Sequence, residues 1–357
     1  MQQYMPTKLY FGENVVRDNA DALALGAHAL IVTSPTAAKR SGALDDVTAA
    51  LEKNHITYSI FDEIGQNPKL SDCFKAAETP ADFVIGIGGG SPMDAAKAVA
   101  VILAHPELDE AGLYAMKWTT AKPVATVGTT AGTGSEVTQV SVLTNAAGLK
   151  KSIRADCIYP VVSFADPRYT YALPDAITRA TAIDALAHCI ESYFSRAATD
   201  FSKTYALRGL EILIEQFAKY DGDPSKEDRA ALTLAAIYGG YAIAVTGTAF
   251  PHALSYFLSE SHGVPHGAAC GVYLPRFLAH NRAYAPALAD AFYKTLRTDE
   301  QTLVSLINRM MPPTDITVTA DEIDALEPRW NGNGTLLKTQ GDVTPAFTTA
   351  LLKDIFQ

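Results

Sequence analysis

The second half of the chain holds an aspartate and several histidines whose types and spacing are those of metal ligands. Asp184 and His188 are four residues apart in a helical pattern, which places both side chains on one face, one turn apart. His252 and His266 each follow a proline directly. A carboxylate with three imidazoles suits Fe²⁺ or Zn²⁺ and leaves a position for an alcohol or carbonyl oxygen. A single histidine is more often a core or surface residue, but four of the 8 histidines fall between residues 188 and 266, which favours a shared site.

A glycine-rich stretch, Gly86–Asp94 (GIGGGSPMD), follows an apolar run and precedes a helical pattern. Successive glycines let the backbone approach a ligand closely. We expect Ser91 to cap the helix and Pro92 and Asp94 to lie in its first turn, where free N–H groups bind a pyrophosphate. The stretch is not a G-x-G-x-x-G motif, because Ser91 replaces the third glycine. A turn that serves only packing is the alternative.

A second glycine-rich stretch, Gly128–Glu136 (GTTAGTGSE), also follows an apolar run. Its hydroxyl side chains suit hydrogen bonds to phosphate or ribose oxygens. They belong to Thr129, Thr130, Thr133 and Ser135. Because α/β sheets bind ligands at the carboxyl ends of parallel strands, the two loops together predict a phosphate-bearing cofactor.

The first half of the chain alternates short apolar runs with helical patterns, which predicts a parallel sheet covered on both faces. Helices are predicted over Lys69–Glu78 and Pro92–Ala104, and a turn over Asn145–Lys150. The predicted strands are His28–Thr33, Ile56–Phe61, Phe83–Ile87, Val124–Val127, Val140–Thr144 and Val161–Phe164.

After Asp166-Pro167 strand patterns give way to helical ones. We expect Pro265 and Pro275 to bound a short helix between them. The long predicted helices cover Ile177–Ser195, Phe201–Tyr220, Lys226–Val245 and Ala268–Leu296. These patterns predict two domains, a dinucleotide-binding domain over residues 1–166 and a helical metal-binding domain over 167–357.

The charge and composition favour a cytoplasmic protein with a small-molecule substrate. A net charge of −10 opposes nucleic acid and anionic membranes. The first residues do not have the pattern of a signal peptide, and the four cysteines are scattered, which predicts reduced, buried thiols. Residues 230–249 carry no charge, but Gly239 and Gly240 at their centre favour a buried helix over a membrane span.

The motifs, in their order along nearly the whole chain, resemble those of the iron-containing (group III) alcohol dehydrogenase family. The matching segments are Gly88–Asp94, Thr129–Glu136, Asp166-Pro167, Asp184–Glu191, His252 and His266-Gly267 before Leu274-Pro275. The resemblance implies a Rossmann-like α/β N-terminal domain and an all-α C-terminal domain, an architecture shared with dehydroquinate synthase. It also implies interconversion of a short-chain aldehyde and a primary alcohol by direct hydride transfer, in a homodimer. The strand-like pattern of Lys8–Phe11 makes this segment the candidate interface element.

The resemblance assigns roles to individual residues. It makes Asp184, His188, His252 and His266 the metal ligands, and Lys150 a cofactor contact for which Lys151 is the alternative. The remaining cofactor contacts that it implies are Asn67, Gly88, Gly89, Gly90, Ser91, Asp94, Thr129, Thr130, Thr133 and Ser135.

Two positions depart from the family pattern. Tyr256 stands where many members carry a further histidine near the nicotinamide; Tyr256 and His262 are therefore the candidates for proton relay. Ser34 stands where NAD-preferring members end a strand with an acidic residue. Without that carboxylate a 2′-phosphate is not repelled, so we expect NADP to be preferred to NAD.

Three other functions remain open at this point. A dehydroquinate synthase-like lyase is expected to carry a Glu/His/His metal set, and a glycerol dehydrogenase-like enzyme would turn over polyols. A non-catalytic nucleotide-binding protein would have no reason to keep the four ligand candidates. Within the aldehyde reductases, residues 251–256 and 262–267 are similar to the branch that reduces anionic aldehydes such as phosphonoacetaldehyde.

Overall fold

A computed structural model of the chain describes residues 3–314 and 316–357, in which a parallel β-sheet precedes a group of helices. The strands are β1 Lys8–Phe11, β2 His28–Thr33, β3 Thr57–Phe61, β4 Phe83–Gly88, β5 Val124–Gly128, β6 Val140–Thr144, β7 Lys150–Arg154 and β8 Val162–Ala165. Six of them form the sheet in the order β1-β8-β5-β4-β2-β3, and every adjacent pair is parallel.

The predicted parallel sheet covered on both faces is confirmed. Successive residues of β2 point to opposite faces: Ala29 and Ile31 pack in one apolar cluster, and Leu30 and Val32 pack in another. Both faces of β2 are therefore buried away from solvent, which explains why its sequence is a continuous apolar run. The chain runs from β2 outward to β3 and then crosses to β4 on the other side of β2, so the sheet changes direction between β2 and β4.

The strand predicted at Val140–Thr144 does not join this sheet. It pairs antiparallel with β7 in a two-stranded hairpin whose turn is the one predicted from Asn145 onward. The strand β7 was not predicted, because its sequence KKSIR is polar and four of its five residues are not buried.

The helices have the following bounds: α1 Val15–Asp18, α2 Ala37–Ser41, α3 Ala43–Lys53, α4 Leu70–Ala76, α5 Gly90–Ala104, α6 Glu110–Tyr114, α7 Asp175–Phe194, α8 Asp200–Lys219, α9 Lys226–Thr246, α10 Phe250–Ser261, α11 His266–Tyr284, α12 Pro286–Leu296, α13 Glu300–Met310, α14 Ala320–Trp330 and α15 Pro345–Phe356.

Two expectations about the helical part are wrong. Helix α11 continues through Pro275 instead of ending there, because the residues around the proline are buried in the main apolar cluster and their packing outweighs the cost of one missing hydrogen bond. Residues Ala268–Leu296 form two helices, α11 and α12, and not one. Helix α10, which carries His252, was not predicted.

Helix α9 is long and apolar enough to cross a membrane. It packs against α7 and α8, and most of its apolar stretch is buried inside the protein. A core helix meets the same criteria, so this helix is weak evidence for a membrane span.

Candidate metal and cofactor site

Three helices bring the predicted metal ligands together. Helix α7 is buried along its second half and carries Asp184 and His188 one turn apart. Helix α10 begins at Phe250, with a proline in its first turn, and places His252 near its start. Helix α11 begins at His266 itself. The helices pack against one another, and the four side chains meet where they do.

The three imidazoles converge on one carboxylate oxygen. The Oδ1 atom of Asp184 lies 3.9 Å from Nε2 of His188, 3.4 Å from Nε2 of His252 and 3.8 Å from Nε2 of His266. The rings of His188 and His252 stack with centroids 4.6 Å apart. These distances are longer than strong hydrogen bonds but close to the separation between neighbouring ligand atoms around one metal ion.

Unpartnered polar atoms show that this cluster fits a metal. Within the part of the chain that the structure describes, Asp184 Oδ1, His188 Nδ1 and His252 Nε2 are buried and have no hydrogen-bond partner. Burying such atoms without partners is costly unless a ligand satisfies them. A divalent cation between Asp184 Oδ1 and the Nε2 atoms would remove this cost for Asp184 Oδ1 and for His252 Nε2.

Glu191 orients His252, although the sequence placed this glutamate on a solvated face. The Glu191 side chain is fully buried; its Oε1 accepts a hydrogen bond of 2.5 Å from Nδ1 of His252, and its Oε2 accepts one from the backbone N–H of Ala249. A proton held on Nδ1 makes Nε2 the nitrogen of His252 that can bind a cation beside Asp184. Glu191 is thus a residue of the site that the sequence analysis missed.

The charges around the cluster separate the pKa values of its members. Burial would raise the pKa of Asp184, but the facing histidines lower it below the usual range. Burial opposes protonation of His252, yet Cys270, Glu191 and Asp184 together raise its pKa well above 6.5, so a cation would bind Nε2 of His252 in exchange for a proton. Burial and the nearby Lys150 lower the pKa of His266. A neutral His266 keeps a lone pair for a metal at neutral pH.

The two glycine-rich loops begin side by side. Gly88 and Gly128 are register partners on the neighbouring strands β4 and β5, and the N–H of Thr129 donates to the carbonyl oxygen of Gly88 at 2.9 Å. A Cβ atom on Gly89 would lie 3.1 Å from Oγ1 of Thr130. Glycine at Gly89 thus lets the two loops pack directly together at the carboxyl ends of their strands.

The start of α5 differs from the prediction. The N-cap residue is Gly89, so Ser91 lies inside the first turn and does not cap the helix. Gly88 has a φ of 151°, and a Cβ atom there would lie 2.6 Å from Pro92, so only glycine fits this position without displacement. The helix therefore begins directly from the glycine turn, with its first N–H groups at the strand ends.

Asp94 ties the two loops together, since both of its carboxylate oxygens accept hydrogen bonds within the protein. Its Oδ1 accepts from the hydroxyl of Ser135 at 2.7 Å, and its Oδ2 accepts from the N–H of Val142 at 2.9 Å. Lys97, which the sequence analysis did not select, is fully buried and donates to Ser135 Oγ at 2.7 Å and to three further oxygens. Asp94 and Lys97, both on α5, thus hold the second loop in place through their hydrogen bonds to Ser135.

The second loop also packs on the helical part of the protein. Gly134 has a φ of 60°, and a Cβ atom there would overlap the backbone of Gly240 in α9. A Cβ atom on Gly132 would lie 2.7 Å from Thr181 in α7. The loop therefore packs against α9 and against α7, the helix that carries Asp184 and His188.

The other predicted cofactor residues lie at the same edge of the sheet. Ser34 directly follows β2, next to the point where the sheet changes direction. Lys39, which follows it, pairs with Asp62 at 2.9 Å on the surface. Asn67 adopts a left-handed φ of 56°, which asparagine tolerates, and its carbonyl accepts from Thr144 of the hairpin.

Lys150 and Tyr256 lie together beside the metal cluster. Nζ of Lys150 is 5.2 Å from the centre of the Tyr256 ring, and that ring lies 5.9 Å from the ring of His266. Burial, the largest influence, lowers the pKa of Lys150 and raises the pKa of Tyr256 to about 12. Lys151 points the other way, as alternation along a strand requires, and lies over Tyr114.

The structure places His262 apart from these residues. It follows the end of α10, where its Nε2 lies 3.4 Å from Glu322 and its ring packs against Phe257. Neither contact involves the four converging side chains, so the geometry lends no support to His262 as a proton relay.

Comparison with known proteins identifies the family. The model of the iron-containing alcohol dehydrogenase family matches residues 6–167, and the model of the family's C-terminal domain matches residues 178–326. Alcohol dehydrogenase 4 of Saccharomyces cerevisiae is 31% identical over 326 residues, which are 86% of this chain and 85% of the yeast protein.

Solved structures share the whole fold. An iron-containing alcohol dehydrogenase from Thermotoga maritima superposes with a TM-score of 0.92 at 34% identity, over 99% of each chain. A sulfoacetaldehyde reductase from Bifidobacterium kashiwanohense, solved with NAD⁺, gives a TM-score of 0.87 at 26% identity over 100% of this chain and 98% of its own. With these matches, the chain belongs to the iron-containing alcohol dehydrogenases, oxidoreductases of alcohols and aldehydes that use NAD(P) and a divalent metal.

Proposed function

We propose that this enzyme interconverts a short-chain aldehyde and its primary alcohol at a divalent metal held by Asp184, His188, His252 and His266. The observation that carries the proposal is the approach of three Nε2 atoms to Asp184 Oδ1 at 3.4 to 3.9 Å, with buried atoms left unpartnered. A dehydroquinate synthase-like lyase, with its expected Glu/His/His set, fits neither this donor set nor the family.

The bound groups supply the reactive chemistry, and the chain positions them. When bound, the metal supplies Lewis-acid polarisation of a carbonyl oxygen and the reduced dinucleotide supplies a hydride. The Gly88–Ser91 turn and the start of α5 offer backbone N–H groups to the pyrophosphate, and the hydroxyls of Thr129, Thr130 and Thr133 line the adjoining loop. Lys150 lies over the Tyr256 ring and close enough to His266 to lower its pKa, as expected for a cofactor contact beside the metal cluster.

Tyr256 is the proposed proton donor. Its hydroxyl keeps its proton at neutral pH, since burial raises its pKa to about 12, and its ring lies beside both Lys150 and His266. The cationic Nζ of Lys150 over the ring stabilises the phenolate that donation leaves behind. His262 lies against Glu322 and has no such neighbours.

Ser34 supports a preference for NADP over NAD. It stands at the end of β2, at the edge where an acidic residue would bind the two ribose hydroxyls and repel a 2′-phosphate. Arg40 lies on α2, the helix that follows β2 in the chain, and adds a positive charge to this segment.

The proposed substrate belongs to one of two classes of aldehyde, which differ in charge. A neutral short-chain aldehyde is the first candidate. An aldehyde with an anionic group, such as phosphonoacetaldehyde, is the second, and the similarity to a sulfoacetaldehyde reductase and the cationic Lys150 beside His266 favour it. A glycerol dehydrogenase-like polyol activity is a further outcome of the same assay.

The test is NADPH and NADH oxidation with neutral and anionic aldehydes and polyols, using enzyme stripped of metal and then reloaded with Fe²⁺ or Zn²⁺. We expect turnover that depends on metal and is lost in His266→Ala, with His280→Ala as the control. His280 is a buried histidine of the same helix whose ring bonds to Gln340. Turnover by metal-free enzyme, or none with any metal despite dinucleotide binding, contradicts the proposal.

The proposed domain division and assembly rest on the fold. The last strand of the sheet ends at Ala165, which supports a boundary at Asp166-Pro167 between a domain of residues 1–166 and one of 167–357. Strand β1 lies at the edge of the sheet, where unpaired backbone groups can join a second copy, so we propose a homodimer through Lys8–Phe11. Light scattering of the wild type and of Leu9→Pro tests this, since a dimer through β1 becomes a monomer when its backbone donor is removed.

A further inference from the structure

Cys270 lies inside the cluster of metal-binding side chains. It follows His266 by one turn of α11 and is fully buried, with Sγ 4.0 Å from Nε2 of His266. Its sulfur and one donor atom from each of Asp184, His252 and His266 all lie within 4.8 Å of one another. The sequence predicted a buried cysteine here, but only as a small packing residue.

The other buried cysteines have different surroundings. Cys73 lies in the apolar cluster between the sheet and α4 and α5. The sulfur of Cys189 faces Gly209 and Gly239, positions without side chains. Only packing explains those two sulfurs, whereas Cys270 faces a carboxylate and two imidazoles.

The donor atoms lie at, or slightly farther apart than, the spacing of a coordination shell. Metal–sulfur bonds of about 2.3 Å and metal–nitrogen bonds of about 2.0 Å at tetrahedral angles separate neighbouring ligand atoms by roughly 3.3 to 3.6 Å. The observed separations are 3.4 Å for His252 to Asp184, 3.8 Å for His266 to Asp184 and 4.0 Å for Cys270 to His266. Asp184 Oδ1 and His252 Nε2, which face the same space, are buried and without partners among the described residues.

We propose that Cys270 is a sulfur ligand of the metal in the substrate-free enzyme, and that it biases the site toward Zn²⁺ over Fe²⁺. The inference rests on the proposed metal site and adds a fifth donor to its Asp/His set, in the position otherwise left for the substrate oxygen. On binding, the S–H bond breaks, its proton goes to solvent and a sulfur–metal bond forms, without oxidation or reduction. Soft thiolate donors favour Zn²⁺, whereas carboxylate and imidazole donors accept either ion.

Spectroscopy of metal-loaded, substrate-free enzyme tests the sulfur ligand directly. With Co²⁺ we expect a thiolate-to-metal charge-transfer band in the near ultraviolet, and with Zn²⁺ an X-ray absorption signal from one sulfur at about 2.3 Å. Both signals should disappear in Cys270→Ser. They should persist in Cys73→Ser, the matched control, which removes an equally buried thiol far from the donors.

Metal competition tests the selectivity. When apoenzyme is equilibrated with Zn²⁺ and Fe²⁺ without oxygen, we expect Cys270→Ser to lower the ratio of bound Zn to bound Fe about tenfold. If the wild type binds metal through nitrogen and oxygen alone, the inference is overturned and the proposed function stands. If it binds no metal, both are overturned. The wild-type X-ray spectrum decides between these outcomes even if Cys270→Ser does not fold.

Discussion

Glu191 holds the imidazole of His252 in one tautomer through a 2.5 Å hydrogen bond between its Oε1 and Nδ1 of the histidine. Its other oxygen accepts from the N–H of Ala249 just before α10. One buried carboxylate on α7 therefore fixes both the start of α10 and the nitrogen that α10 presents to the proposed metal.

Glu191→Gln should weaken metal binding. Glutamine has one acceptor oxygen for two donors, so its NH₂ group would face either Ala249 or His252 and would favour a proton on the wrong imidazole nitrogen. We expect metal affinity to fall about 10- to 100-fold, measured by titration against a chelator. Glu215→Gln, on the exposed face of α8, is the control. Unchanged affinity in Glu191→Gln would show that the tautomer is not set here.

Gly134→Ala should displace the second cofactor loop. The residue needs a left-handed φ and has the backbone of Gly240 where a Cβ would lie, so we expect a destabilisation of about 3 kcal/mol or more and weaker dinucleotide binding. Gly148→Ala is the matched control, because Gly148 also has a positive φ but open space around it. It should cost only about 1 kcal/mol. Thermal unfolding and dinucleotide titration compare the two; equal effects would argue against the contact.

Glu136 should make stability depend on pH. Burial raises its pKa to about 7 from 4.5, so the folded state holds a proton that the unfolded state has lost between these values. The stabilisation is complete below pH 4.5 and is lost as pH rises to 7, by roughly 3 kcal/mol in all. In Glu136→Gln we expect the free energy of unfolding to lose this decrease with rising pH, as measured by urea unfolding from pH 5 to 8. Glu52→Gln, on the surface, should keep the wild-type slope.

Tyr256→Phe should slow turnover without weakening dinucleotide binding. The ring stays over Lys150 while the proton donor is lost, so we expect kcat to fall about 100-fold and its pH profile to change. Tyr293→Phe removes a buried hydroxyl elsewhere and serves as the control. Wild-type kcat in Tyr256→Phe would assign proton donation to solvent or to another group.

Ser34→Asp should reverse the proposed cofactor preference. A carboxylate at the end of β2 repels a 2′-phosphate and binds ribose hydroxyls, so we expect kcat/KM to fall at least about tenfold for NADPH and to rise for NADH. Thr48→Asp adds the same charge on α3 and should leave the ratio unchanged. A wild-type enzyme that already prefers NADH would show that the missing carboxylate does not decide the preference.

The strands of the main sheet could be predicted because burial on both faces leaves a signature in each strand alone. Strand β2 was predicted with its observed bounds. Strand β7 has no such signature, since its hairpin lies outside the covered sheet. The continuation of α11 through Pro275 depends on packing by distant residues, which a local pattern does not contain.

The same distinction holds for the site. Asp184 and His188 share a helix face by spacing alone, whereas their approach to His252 and His266 depends on how three helices pack. Glu191 was expected to be solvated because a glutamate usually is, and its partner His252 lies on another helix. Cys270 was expected only to fill space, because a cysteine's role depends on which atoms its sulfur faces.

The contact between Gly134 and Gly240 also has a consequence for synthesis of the chain. Both glycine motifs leave the ribosome before α9 has been made, so the loop that contains Gly134 at first has no surface against which to close. The sheet itself waits for β8, because β1 pairs with this last strand. A nascent chain that ends before Gly240 therefore carries every glycine of the cofactor motifs and still lacks a finished cofactor site.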